Sequence, residues 1–241
     1  MWRIQQIFDG EYGCEERQPG EKQKCIVRLA KENGDSGELP VFEEWLRENG
    51  LEEGSVWDKE IFDVCDCNGQ PTGRLVERSY AHTEGICHRA AHIWIVRKIN
   101  GKYQVLLQKR SANKDSFPRQ FDTSSAGHIQ AGDEPLESAL RELSEELGIQ
   151  ADVSQLYFAG TFPVKFDKEF HGKMFRDREV AFVYCYKEPV DVDSLVIQKE
   201  ELDGVAWFDL SEVYEACKTH NADFCVPMGG LETLMKYLGD A

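Results

Sequence analysis

The sequence predicts an α/β fold, a mixed sheet flanked by helices, preceded by a small N-terminal unit of α+β or β-rich character. Three observations carry this prediction. Short apolar runs with strand-like periodicity alternate with helical patterns between residues 61 and 238. A leucine stripe at helical spacing marks one strong amphipathic helix in the middle of that stretch. Asn-Gly-Leu-Glu-Glu-Gly at 49–54 supplies a break between this region and what precedes it.

In chain order, the N-terminal unit, residues 1–57, reads as a strand over 2–8, a Gly/Pro-rich acidic turn running to Gly20, a strand over 25–30 and a short helix over 41–48. It carries no catalytic constellation. The second unit, 58–241, begins with strands over 61–65 and 74–77 around Asn68-Gly69, followed by strands over 90–96 and 103–108 around Asn100-Gly101. A helix over 134–147 follows, then strands over 156–164, 180–186 and 205–208, and closing helices over 211–218 and 231–238. No internal repeat interrupts this order.

Composition excludes several classes of function. The net charge of −16 leaves no broad surface of clustered Lys and Arg, so a nucleic-acid polymer is not an expected partner. A small anionic substrate is compatible with this charge where cations and a few local Lys or Arg side chains offset it. No apolar run reaches membrane-spanning length, and the N-terminus has no signal-peptide pattern, so no membrane partner and a cytoplasmic location are expected. The eight cysteines show no paired C-x-x-C framework; Cys65 and Cys67 form C-x-C, and reduced thiols are expected. A homodimer is the expected assembly.

The helix over 134–147 carries the chemistry. Asp133 is expected to cap it, Pro135 fits its first turn and Gly148 its C-terminal stop. Leu136, Leu140, Leu143 and Leu147 form the face that packs on the sheet, and Glu142, Glu145 and Glu146 fall on another. Crowded carboxylates repel one another unless a hard cation such as Mg²⁺ or Mn²⁺ offsets them, and Arg141 is placed to steady Glu145 at i+4. A solvated acidic face would account for a Glu-Glu pair alone.

Gly127, Asp133, Arg141, Glu142, Leu143, Glu145, Glu146, Gly148 and Ile149 resemble the Nudix box, G-x5-E-x7-R-E-U-x-E-E-x-G-U, with Asp133 in place of the usual Glu as the one departure. The resemblance implies a Nudix-type α/β/α sandwich, metal-dependent hydrolysis of a diphosphate bond in a nucleoside-diphosphate-linked or related small molecule, and Mg²⁺ or Mn²⁺ as cofactor. Glu142 and Glu146 would be the leading metal ligands, and Glu145 a further ligand or the base. Over residues 82–208 the chain is most similar to the branch containing isopentenyl-diphosphate isomerase. That similarity implies diphosphate contacts from Arg110 and Lys114 and a second divalent cation, Mg²⁺, Mn²⁺ or Zn²⁺, at His82, His88, His128 and Glu179, with Asp177 nearby.

Isomerases of this type carry a cysteine two positions before His128, for proton transfer at the alkene. This chain has Ala126 there, and a methyl group does no acid–base work. With all three box glutamates present, hydrolysis is the expected reaction, with Glu145 or Glu179 activating water. The rival readings are an isomerase that recruits another group such as Cys87, and a Nudix module that binds a nucleotide without cutting it. Phe166, Phe170, Phe175 and Tyr157 are open between base-stacking and core roles, and Glu200 and Glu201 are weaker candidates for a downstream ligand or base.

Overall fold

The computed structural model describes residues 1–9, 23–114 and 116–239. The acidic turn expected before Gly20 lies outside the described residues. The N-terminal unit is a four-stranded sheet of order β3-β2-β1-β4, from β1 (Trp2–Asp9), β2 (Lys24–Ala30), β3 (Ser36–Phe42) and β4 (Val56–Trp57), with helix α1 (Glu43–Glu48) after β3. Alternation along β2 buries Cys25, Val27 and Leu29 on one face, as a half-covered strand requires. The apolar core under this sheet also takes in Ile61, Leu75 and Ala131 from the following unit.

A two-stranded ribbon, β5 (Ile61–Cys65) and β6 (Pro71–Glu77), leads into helix α2 (Arg78–Glu84). The Glu77 side chain caps α2 by accepting the Tyr80 N–H at 2.9 Å, and Gly85, with φ of +70°, ends it. No strong periodic pattern announces this seven-residue helix in the sequence. It nevertheless carries His82.

The main sheet has seven strands: β7 (His88–Ile99), β8 (Lys102–Arg110), β9 (Phe121–Asp122), β10 (Ser125–His128), β11 (Leu156–Phe170), β12 (Lys173–Tyr186) and β13 (Leu202–Asp209). Its spine runs β11-β12-β7-β8-β13, with β10 paired to β7 and β9 to β8. The β7–β12 pair is parallel and the other pairs antiparallel, so the sheet is mixed. The expected strand pair at 156–164 and 180–186 extends into a longer hairpin reaching Phe170 and Lys173.

Helices cover both faces. Trp94, Val96, Val105 and Leu107 pack with α4 (Leu210–Lys218) and α5 (Met228–Leu238) on one side. Ile93, Ile95 and Leu106 pack on the other with Leu143 and Leu147 of α3 (Pro135–Leu147), while Leu136 and Leu140 sit at that core's margin. The result is the expected α/β/α sandwich beside a β-rich N-terminal unit. Among the described residues no helix is long and apolar enough to cross a membrane.

Candidate functional site

The carboxylate half of the site rests on α3 and the short strand β10. Glu134, not Asp133, is the residue before the first helical turn, and it makes no side-chain cap. Asp133 instead accepts from Arg141 Nη1 at 3.0 Å, and the Arg141 fork also reaches Glu142 Oε1 at 3.1 Å and the His128 carbonyl at 3.2 Å. Arg141 therefore ties Asp133 and Glu142 to β10, rather than steadying Glu145 one turn along. Asp133 and Glu142 stand within hydrogen-bond reach of the guanidinium, whereas the exposed Glu145 adds only a longer-range attraction.

Glu142 lies so close to β10 that a Cβ added at Gly127 would stand 2.2 Å from its carboxyl carbon. Only glycine leaves room for a carboxylate at that spot. Glu146 is buried and accepts the Ala126 N–H at 3.2 Å. Burial, then the neighbouring Glu142, pushes the Glu146 carboxyl up to about 8. Burial also raises Glu142, against the pull of Arg141. Two carboxylates held side by side with their charged forms disfavoured are a site that a cation would relieve.

The histidine half lies on the other face of β10, because Gly127 and His128 are adjacent in a strand and point opposite ways. His88 opens β7 and is in register with Glu179 on the parallel strand β12, which puts both side chains on one face. His82 comes from α2 and His128 from β10. One ligand atom from each of His82, His88, His128 and Glu179 lies within 4.8 Å of the others. Phe62 stacks on His88 and on His128, with centroids 4.7 Å apart in each case, and Phe175 stacks on His82 at 4.3 Å.

Burial and close charges set the electrostatics in this half. Burial would raise Glu179, but hydrogen bonds from His128 and His88 hold it well below the usual carboxylate range. Burial, then the adjacent His128 and His88, lowers His82 to about 3. Burial depresses His88, yet its contact with Glu179 at 3.5 Å wins and leaves it raised. Asp177, 3.9 Å from His82 Nε2, is pushed up to about 8 by burial and then by Glu179. His82 Nε2 and Asp177 Oδ1 are buried without a hydrogen-bond partner. Polar atoms left so, and aimed at one point, cost free energy that a bound cation would recover.

Arg110 is the last residue of β8, and Lys114 stands on the loop that follows. Arg110 pairs with Asp122 at 3.0 Å and donates to the Ser116 carbonyl and hydroxyl, and Lys114 pairs with Glu201. Glu201 contributes to the raised carboxyl of Glu146, and Gln198 N donates to the Glu146 carbonyl at 3.0 Å, so this loop borders the carboxylate half. Phe117, held at φ of +49°, meets Phe166 and Phe170 at 6.0 and 5.4 Å, and Phe175 meets the same two at 6.1 and 6.0 Å. These four rings join the loop to the tip of the β11–β12 hairpin beside His82. Tyr157 lies elsewhere, exposed on β11.

Sequence reading missed Glu60, Asp63 and Arg89. Buried Arg89 donates to Asp63 at 2.8 Å and to the Asp133 carbonyl at 3.0 Å, and Asp63 accepts the Gly132 N–H at 2.9 Å. Together they pin the loop between β10 and α3. Nothing in the spacing of these residues signals that they meet, since Asp63 and Gly132 are 69 residues apart.

A sandwich with a glutamate helix laid against a glycine-containing strand defines the class, and residues 88–225 match the model of the NUDIX domain. The chain belongs to the Nudix hydrolase family. It is 35% identical over 156 residues to a Nudix hydrolase of Clostridium acetobutylicum, covering 65% of this chain and 73% of the relative. It is 39% identical over 157 residues to Nudix hydrolase 3 of Arabidopsis thaliana, covering 64% of this chain but 20% of that protein. A protein of Corynebacterium diphtheriae named isopentenyl-diphosphate Delta-isomerase is 25% identical over 69% of this chain and 87% of its own length. Among solved structures, DR0079 from Deinococcus radiodurans superposes with a TM-score of 0.51 at 17% identity, over 66% of this chain and 90% of its own, which supports the fold.

Proposed function

We propose that the protein hydrolyses a diphosphate bond in a small molecule with divalent cations, Mg²⁺ or Mn²⁺, held by Glu142 and Glu146, and a second divalent cation at His82, His88, His128 and Glu179. The observation that carries this reading is the pair of buried, crowded carboxylates against Gly127, an arrangement with little use in a pure binder. The donor sets fit their ions: oxygens alone on α3 suit a hard cation, and three imidazoles with a carboxylate suit Mn²⁺ or Zn²⁺. Cations bound there reduce the charge on the diphosphate oxygens and lower the pKa of an attacking water.

The chain's own groups do the rest. Glu179, kept ionised by its histidines, is better suited to ligation than to taking a proton. Glu145, one turn from Glu142 and open to solvent, is then the favoured base for the water attacking phosphorus. Arg110 and Lys114 orient the anion by exchanging part of their contacts with Asp122 and Glu201 for phosphate oxygens. Asp133 preserves the negative charge its box position demands by holding Arg141, and through it Glu142.

The deciding experiment is a screen of nucleoside diphosphates, sugar nucleotides, dinucleotides and isoprenoid diphosphates with Mg²⁺ or Mn²⁺, read by phosphate-bearing products. Turnover that disappears in Glu146→Gln supports the reading. Conversion of isopentenyl diphosphate to dimethylallyl diphosphate at a catalytic rate would overturn it, as would turnover unchanged in Glu146→Gln. Ala126 beside His128 argues against isomerisation, since it supplies no proton.

A further inference from the structure

The three cluster histidines share one orientation. Nδ1 of His82 faces the Arg78 carbonyl at 2.9 Å and Nδ1 of His88 faces the Ile86 carbonyl at 2.9 Å. A carbonyl only accepts, so both Nδ1 atoms carry the hydrogen and both Nε2 atoms turn into the cluster. His128 also turns Nε2 inward, 3.2 Å from Glu179, to which it donates without an ion. A cation bound to Nε2 would take the place of that hydrogen and leave Nδ1, directed outward, as the N–H. The acceptor facing that outward nitrogen is the carboxylate of Glu60, 3.9 Å away, a gap that a small rotation of this partly exposed side chain closes.

Glu60 has a second hold on the cluster. Its other oxygen, Oε2, accepts from Arg78 Nη1 at 2.6 Å, and its main-chain carbonyl accepts the Arg78 N–H at 3.1 Å. Arg78 is the residue whose carbonyl fixes His82. One carboxylate thus faces His128 directly and anchors the support of His82. It also stands near enough to Glu142 to raise that carboxyl, so it lies where the two halves of the site adjoin.

Resting on the reading of the histidine cluster as a cation site, we propose that Glu60, from the segment linking the N-terminal sheet to β5, is a positioning residue. It holds His128, and through Arg78 also His82, in the orientation that presents Nε2 to the ion. A ligating histidine whose outer N–H is anchored by a carboxylate is fixed in tautomer and ring angle and made more basic, and losing such a partner weakens metal binding or activity about 10- to 100-fold. The residues named as ligands remain His82, His88, His128 and Glu179. Glu60 acts through them.

The test uses the full chain, stripped of metal with a chelator and titrated with Co²⁺, whose visible d–d absorption reports imidazole coordination. Glu60→Ala is expected to weaken Co²⁺ binding at the histidine cluster about 10- to 100-fold, with Glu60→Gln, which keeps an acceptor but not the charge, between it and wild type. Imidazole ¹⁵N spectra of the protein loaded with diamagnetic Zn²⁺ should show His128 ligated through Nε2 with a protonated Nδ1 in wild type and a shifted, broadened Nδ1 resonance in Glu60→Ala, a change that general loosening of the fold would not confine to one ring. Glu179→Gln separates the two failures. If Glu179→Gln loses the absorption while both Glu60 variants bind as wild type does, the role of Glu60 is overturned and the cluster stands. If wild type shows no such absorption, or Glu179→Gln keeps it, the cation site and the role of Glu60 fall together.

Discussion

At the scale of single residues, the site is governed by burial that works against charge until a cation arrives. The folded-state pKa of Glu146, about 8, lies above its ordinary 4.5, so the metal-free native protein binds a proton more tightly than the unfolded chain does. Stability from this group is full below about pH 4.5 and is lost as pH rises to about 8. Asp177, also raised to about 8, adds a loss of the same sign. Below about pH 6.5 the lowered His82 works the other way, since the unfolded chain binds that proton and the native protein does not. The metal-free protein is therefore expected to melt at progressively lower temperature from about pH 6.5 to 8, and saturating Mg²⁺ should flatten that slope. A Tm without pH dependence in the chelated protein would refute it. The same argument predicts that Glu146→Gln abolishes turnover yet raises the metal-free Tm at pH 7.5, by about 2–4 °C for each kcal/mol of relieved burial cost. A lowered Tm would show that Glu146 is stabilised by contacts other than those named.

Gly127 extends the argument to shape. A methyl there would meet the Glu142 carboxylate at 2.2 Å, far inside contact distance, so Gly127→Ala must displace either the strand or the ligand. The expected outcome is a fold that persists, at a cost of about 1–3 kcal/mol by denaturant melting, with activity reduced much more than stability. Wild-type kcat/KM in this variant would remove Glu142 from the position ascribed to it.

At the scale of elements, α3 was legible in the sequence and α2 was not. α3 has a leucine stripe, Pro135 in its first turn and Gly148 at its end with φ of +70°, so period and stop signals agree over 13 residues. α2 spans seven residues and is capped by a glutamate, too short for periodicity to stand out. Motif resemblance named His82, His88, His128 and Glu179 without knowing which elements bore them; sheet register then explains why two of them meet, since Glu179 and His88 are parallel partners. Asp133 was legible as a negative charge but not as the partner of Arg141, because capping and ion pairing draw on the same residue type. Arg141→Ala should therefore loosen Asp133 and Glu142 together and lower metal affinity or activity about 10- to 100-fold, with little change at the histidine cluster. An unchanged Mg²⁺ dependence would show that the helix alone suffices to place Glu142.

At the scale of the whole molecule, the N-terminal sheet is joined to the Nudix unit by packing that the sequence did not reveal. Leu75 of the β5–β6 ribbon fills the space over Gly37 of β3, where an added Cβ would stand 2.4 Å from Leu75 Cδ1, and Ile61 and Ala131 complete the same core. The Ala131 N–H donates to the Ile61 carbonyl at 2.9 Å, so the loop that enters the glutamate helix is fastened to β5, whose Ile61 side chain is part of that core. Glycine at 50 and 54 reads as a boundary in sequence, yet the chain just beyond it, through Glu60 and Ile61, reaches into both the core and the site. A core shared in this way couples the two parts thermodynamically. Denaturant unfolding is expected to be one transition, with the fluorescence of Trp57 in the N-terminal core and of Trp94 in the sheet core changing together. Leu75→Ala should lower stability by about 2–5 kcal/mol while keeping the two signals coincident. If the N-terminal signal instead separates and melts first while diphosphate turnover persists, the sheet is an appendage, and the loop between β10 and α3 holds its place by the Arg89 and Asp63 contacts alone.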